Sequence, residues 1–149
     1  RTVAELVADC GARVWPVGRL DLDSEGLLIL TNDGDFANKM LHPAHEVEKI
    51  YEVWVENASQ PGIAQMMTPL VIDGYQIRPA GVKTLWLRDG SAKLQVTIHE
   101  GRNRQIRKMA AQCGMTVTRL KRVQEGSLKL GALPVGQWRF LTKNEISTL

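Results

Sequence analysis

The sequence predicts an α+β domain built on a largely antiparallel, mixed sheet flanked by short helices. Three observations carry this. Residues 47–56 alternate, with Val47, Lys49, Tyr51, Val53 and Val55 on one side and Glu48, Ile50, Glu52, Trp54 and Glu56 on the other, which is the period of a half-buried strand. Two further apolar runs, 82–87 and 93–99, flank Asp89-Gly90, the short-range signature of a hairpin. The helical stretches are short and do not alternate regularly with the strands, which argues against repeated βαβ units.

The remaining elements follow in chain order. Thr2 and Glu5 form a T-x-x-E capping box ahead of Leu6 and Val7, predicting a short helix that stops at Gly11. Residues 13–17 and 27–31 read as short strands separated by the polar loop GRLDLDSEG. Asp33-Gly34 makes a turn, and 36–41 a turn or two of helix ending at His42-Pro43. Ser59 ahead of Pro61 starts a helix running to Thr68, packed by Met66-Met67 and closed by Pro69. A helix over 103–113 ends at Gly114, with Ile106, Met109, Ala110 and Cys113 as its buried stripe. Arg104, Arg107 and Lys108 lie off that stripe, Arg107 nearest its border. Residues 117–123 and 138–141 read as strands, and Thr142 with Glu145 caps a final turn of helix. There is no internal repeat, and Pro61-Gly62 is too short to separate domains.

Composition narrows the class. The chain has 149 residues, 44% hydrophobic and 23% charged, which suits one folded domain and excludes disordered, collagenous and coiled-coil chains. No stretch approaches the ~20 apolar residues of a membrane span, and the first residues lack the apolar core of a secretory signal, so a cytoplasmic location is expected. Cys10 and Cys113 are far apart with no CxxC or Cys/His pairing, and His42 and His45 lack a third ligand. Trp15, Trp54, Trp86 and Trp138 are scattered singly, as core or sheet-face residues are.

The net charge of +3 conceals a gradient. Residues 1–60 carry five Lys/Arg against eleven Asp/Glu, whereas residues 61–149 carry fourteen against five. Between 98 and 122 seven basic residues face Glu100 alone. Such a cluster favours a polyanionic partner through counterion release, although a solvated helix face has the same composition.

The stretch richest in chemistry is GRLDLDSEGLLILTNDG, 18–34. Asp21 sits in a loop bounded by glycines and anchored by the apolar run behind it, a suitable mount for a nucleophile or base. Asp23 and Glu25 beside it would also suit a solvated loop or a hard-cation site. The following 27–30 offers no side-chain oxygens for later ligands, which disfavours calcium.

This segment, with EKIYEV (48–53), IHEGRNRQIRKM (98–109) and LGALPVGQWRFLT (130–142), resembles the RsuA/RluB group of ribosomal RNA pseudouridine synthases in order and spacing. The resemblance implies that group's catalytic fold, with a cleft across the sheet, and conversion of a uridine in ribosomal RNA to pseudouridine without cofactor or metal. It implies that Asp21 is essential, that Arg107 pairs with it, and that Tyr51 packs against the target base. Leu120 would line the pocket. Arg19, Arg102, Arg104, Lys108, Arg119, Lys121 and Arg122 would contact phosphates around a nucleotide turned out of its stack. A large-subunit site near the peptidyl-transferase region, and a monomer with no obligatory protein partner, are the matching expectations. Members of the group usually begin with a small helical RNA-binding module and a first strand, both expected upstream of Arg1. Two other readings stay open: a noncatalytic RNA-binding or ribosome-assembly module, and a synthase acting on transfer RNA.

Overall fold

In the computed structural model, which describes residues 2–149, the chain opens with α1 (Val3–Leu6), held by the expected Thr2/Glu5 capping box. Short strands β1 (Trp15–Pro16), β2 (Glu25–Gly26) and β3 (Leu30–Thr31) precede α2 (Gly34–Leu41) and a 3-10 turn (Pro43–His45). The centre of the chain supplies β4 (Lys49–Glu56), α3 (Gln60–Met66), β5 (Val71–Ile72), β6 (Tyr75–Gln76), β7 (Gly81–Arg88) and β8 (Ser91–Ile98). The last third holds α4 (Gln105–Gln112), β9 (Thr116–Glu125), β10 (Leu128–Lys129) and α5 (Lys143–Thr148).

The main sheet runs β10-β9-β4-β8-β7, each neighbouring pair antiparallel, and β2 joins β9 in parallel. The sheet is therefore mixed, as expected. Its inner face carries Val53, Val55, Leu94 and Val96, all essentially inaccessible to solvent, and α3 and α4 bring Ile63, Met66, Ile106 and Met109 to the same cluster. A second, smaller cluster gathers Val17, Leu27, Ile29, Ala37, Met40, Leu128 and Leu149. Met109 is fully buried, so Met109→Ala should lower unfolding free energy by about 2–5 kcal/mol, read as a lower urea midpoint with an unchanged slope.

The register of β4 against β9 slips twice. Ile50 faces Gln124 but Tyr51 faces Arg122, leaving Val123 unmatched; Trp54 faces Arg119 but Val55 faces Val117. Each slip is a β-bulge, which re-aims the side chains beyond it. Arg122 and Glu125, three apart, would point to opposite faces of a regular strand. The bulge at Val123 buries both on the inner face.

Several expectations change. The strands expected at 13–17 and 27–31 shrink to two-residue bridges, because this segment is tied down by packing and loop contacts rather than by a long ladder. Residues 138–141 form no strand; Trp138 meets Phe140 edge-on at 5.0 Å and donates to Asp9 instead. The helix from Thr2 ends at Leu6, short of Gly11. Asp73-Gly74, both at positive φ, turns an additional hairpin between β5 and β6. Of the tryptophans expected in the core or on a sheet face, Trp15 on β1 and Trp86 on β7 are exposed strand residues, in keeping with the second of those places. Trp54 lies on the outer sheet face beneath the cations of Arg119 and Lys93. His42 accepts from the Ala44 amide and so caps the 3-10 turn.

Candidate active site

The loop carrying Asp21 is fastened at several points. The Ser24 amide donates to the Asp21 carbonyl at 2.9 Å, closing a turn, and Val17 donates to Ile29 at 2.8 Å across the loop's base. At its far end the Leu27 amide donates to the Arg122 carbonyl, also at 2.8 Å, while β2 lies beside β9. Gly26 permits this approach: its φ is +114°, and a Cβ there would collide with the Arg122 backbone.

Arginines hold the loop from the other side. Arg104 occupies the left-handed region at φ 51°, just ahead of α4, and from there its guanidinium forks onto both oxygens of Asp23 at 3.0 and 2.8 Å. A left-handed non-glycine residue costs roughly 1–2 kcal/mol, and such strain concentrates where a side chain must be aimed. Arg107 donates to the Asp23 carbonyl at 2.7 Å, and Glu25 pairs with Arg119. The Arg104 hydrogen bonds hold the Asp23 carboxyl at about 2 against an ordinary 3.8. Since the folded value is the lower one, ionised Asp23 stabilises the loop above pH 3.8 and loses that effect as pH falls toward about 2. The stability difference between the wild type and Asp23→Asn should therefore be present at neutral pH and close across that acid window, as read by urea melts at successive pH values.

Between the loop, β4, β9 and the approach to α4 lies a cleft of about 710 Å³, a size that accommodates small-molecule-sized ligands. Its lining comes from both apolar clusters: Val17 and Met40 from the smaller, and Tyr51, Ile98, Ile106 and Leu120 from the larger. The cleft thus occupies the seam between them. Asp21 reaches into it from the loop, with one oxygen 3.7 Å from the Arg104 guanidinium. Burial pushes the Tyr51 phenol above its ordinary pKa of 10, while the charge of Arg122 opposes that shift. Burial also pushes the Lys49 ammonium down, against the pull of Glu125.

The structure brings Asp21, Tyr51, Leu120, Arg19, Arg102, Arg104 and Arg122 to one cleft. Arg107 is not in its lining, and the expected Arg107–Asp21 pair is not formed: Arg107 engages Asp23, and Arg104 is the cation beside Asp21. The left-handed turn at Arg104 accompanies a guanidinium set on the Asp23 carboxylate and 3.7 Å from Asp21, whereas Arg107, one turn into α4, reaches the Asp23 carbonyl. The remaining basic candidates do not form one free stripe. Arg102 stacks over Tyr75 at 3.8 Å, Lys108 pairs with Asp73, Arg119 is shared between Glu25 and Trp54, and Lys121 stands opposite Glu52 on the outer face. Arg122 is buried, so it is not an outward phosphate contact. Lys49 and Glu125 line the cleft without having been expected there. Lys49 shares a strand face with Tyr51 and was accessible from the period of two; Glu125 was hidden by the bulge.

A cleft on a mixed α+β sheet that gathers the carboxylates of Asp21 and Glu125, the Tyr51 phenol, Lys49 and several arginines has the make-up of an enzyme site. The family pattern described as RNA pseudouridylate synthase matches residues 9–112, and the chain belongs to that family. It is 38% identical over 152 residues to the ribosomal large subunit pseudouridine synthase B of Bacillus subtilis (strain 168), covering 100% of this chain and 62% of that protein. It is 40% identical over 157 residues to the ribosomal large subunit pseudouridine synthase E of Xanthomonas campestris pv. campestris, covering 93% of this chain and 82% of that protein. A solved pseudouridylate synthase superposes with a TM-score of 0.82 at 32% identity, over 91% of this chain and 59% of that one. The chain therefore spans about three fifths of the Bacillus subtilis relative and of the solved structure.

Proposed function

We propose that this chain isomerises a uridine of ribosomal RNA, in the large subunit, to pseudouridine. The observation that carries the reading is Asp21 at the mouth of the seam cleft, 3.7 Å from Arg104 and within electrostatic reach of Tyr51. In the reaction the bond from ribose to the ring nitrogen of uracil breaks, the base turns, and a bond from ribose to carbon 5 forms. Carbon 5 gives up its proton to solvent and the released nitrogen takes one up, so nothing is oxidised or reduced. Asp21 assists at the ribose as the base departs. Tyr51 offers its ring to the uracil face and its hydroxyl as a polar group, while Leu120 supplies apolar lining. Exposed Arg19 and Arg102 at the rim face the phosphates of the extruded nucleotide. The target on large-subunit RNA is supported by the names of the Bacillus and Xanthomonas relatives.

Because carbon 5 loses its hydrogen, RNA transcribed with uridine tritiated at that position should release tritium to water when incubated with the protein. Release from large-subunit transcripts, with small-subunit and transfer RNA transcripts inert, is the expected result. Release from transfer RNA alone would move the substrate. RNA binding without any release would make the chain a binding module.

A further inference from the structure

Among the described residues, four buried side-chain polar atoms have no hydrogen-bond partner: Ser24 Oγ, Arg107 Nε, Arg122 Nη2 and Glu125 Oε2. Three belong to residues lining the cleft. An unpaired buried polar group costs about 1–3 kcal/mol, so its retention at a cleft points to a task there.

Arg122 is the most constrained of them. Its side chain is almost wholly buried, with the residue 3% exposed. Its Nε donates to the Leu27 carbonyl at 2.9 Å, and its own carbonyl accepts from the Leu27 amide at 2.8 Å. Arg122 therefore grips the end of the Asp21 loop through both side chain and backbone. On the other edge of β9 it is the cross-strand partner of Tyr51, and the bulge at Val123 starts immediately after it. One residue thus joins the strand bearing the phenol to the loop bearing the carboxylate, and its buried Nη2 has no hydrogen-bond partner.

We propose that Arg122 is a positioning residue that sets the Asp21 loop relative to Tyr51 and holds a cation beneath the phenol. This rests on the reading of the cleft as a uridine isomerase site. Lys49 and Glu125, themselves cross-strand partners one step along the same face, add one further charge of each sign to the cleft floor. A lysine at 122 would keep the charge but not the planar fork that reaches Leu27 while presenting a second nitrogen to the cleft.

The test uses Arg122→Gln and Arg122→Lys in the full chain, with circular dichroism to confirm folding. The protein has two tyrosines, so Tyr75→Phe leaves Tyr51 alone for tyrosine-ring NMR. In Arg122→Gln the Tyr51 midpoint should move to higher pH, because the cation favouring the phenolate is gone; Arg122→Lys should restore most of it. At saturating RNA both variants should lose tritium-release rate by about 10²-fold, the scale of a small misplacement of reacting groups, with RNA affinity little changed. Weakened RNA affinity with an unchanged rate at saturation and an unchanged Tyr51 midpoint would make Arg122 a phosphate ligand and overturn the proposal. A wild-type chain that binds RNA and releases no tritium would sink the isomerase reading instead. The Tyr51 titration in Arg122→Gln would then still decide whether Arg122 sets the phenol.

Discussion

Asp21→Asn should abolish isomerisation and leave the protein folded. The side chain of Asp21 is about a third exposed and makes a single long ion pair to Arg104, a contact of a kind that contributes no more than about 1 kcal/mol. The loop around it is held by other groups: Asp23 under the Arg104 fork, Glu25 by Arg119, and Leu27 by Arg122. An asparagine of the same shape keeps all of these. What it removes is the negative charge and the nucleophilic oxygen, and loss of a central group of that sort lowers turnover by roughly 10⁴-fold or more. Tritium release should fall to background while RNA retention on filters and the thermal midpoint stay near wild type. A variant that still releases tritium at more than a small fraction of the wild-type rate would exclude Asp21 as the reacting carboxylate. Asp23→Asn should show the opposite balance, with a weakened loop and residual turnover.

Gly26→Ala should be the most damaging single methyl in the protein. At φ +114° an alanine is strained by itself, costing about 1–2 kcal/mol. Its Cβ would also be driven into the Arg122 backbone, and overpacking of this kind adds about 1–3 kcal/mol. The β2–β9 bridge and the Leu27–Arg122 bonds are expected to part, since the loop is the lighter and more yielding partner. In a domain of this size each kcal/mol shifts the melting midpoint by about 2–4 °C, so a drop of roughly 5–15 °C is expected, accompanied by lost turnover. An equal change at Gly11, which also has positive φ but open space around its Cβ position, should cost only the strain. Comparing the two variants separates backbone conformation from the collision.

Local patterns in the chain reveal much of this architecture. The alternation over 47–56, Asp89-Gly90, the helix closed by Gly114 and both capping boxes appear where their residues place them, because each is a short-range preference that packing reinforces. The Asp73-Gly74 hairpin carries the same signal as Asp89-Gly90 and was equally accessible. The strand expected at 138–141 fails because its aromatic and apolar residues pair with each other and with Asp9, leaving no neighbouring strand to bond. At the site, the cleft residues Asp21, Tyr51 and Leu120 follow from the motifs, whereas the partnering of the arginines does not. Nothing in GRNRQIR announces that Arg104 adopts a left-handed turn, so the choice between Arg104 and Arg107 was invisible. The burial of Arg122 together with Glu125 likewise depends on one unmatched residue, Val123, whose effect exists only once β4 lies alongside.

Because the cleft runs along the boundary between a large apolar cluster and a small one, its two walls should differ in how readily they open. The phenol stands on a central strand within the larger cluster, where amide hydrogens exchange only when the whole domain unfolds. The carboxylate rides on a segment secured by two-residue bridges, a handful of buried side chains and the last residue, Leu149. Deuterium should enter the backbone around 17–30 by local opening long before it reaches β4 and β8. A bound nucleotide spanning both walls should slow that entry without altering the slower strands, making solvent exchange a direct gauge of occupancy.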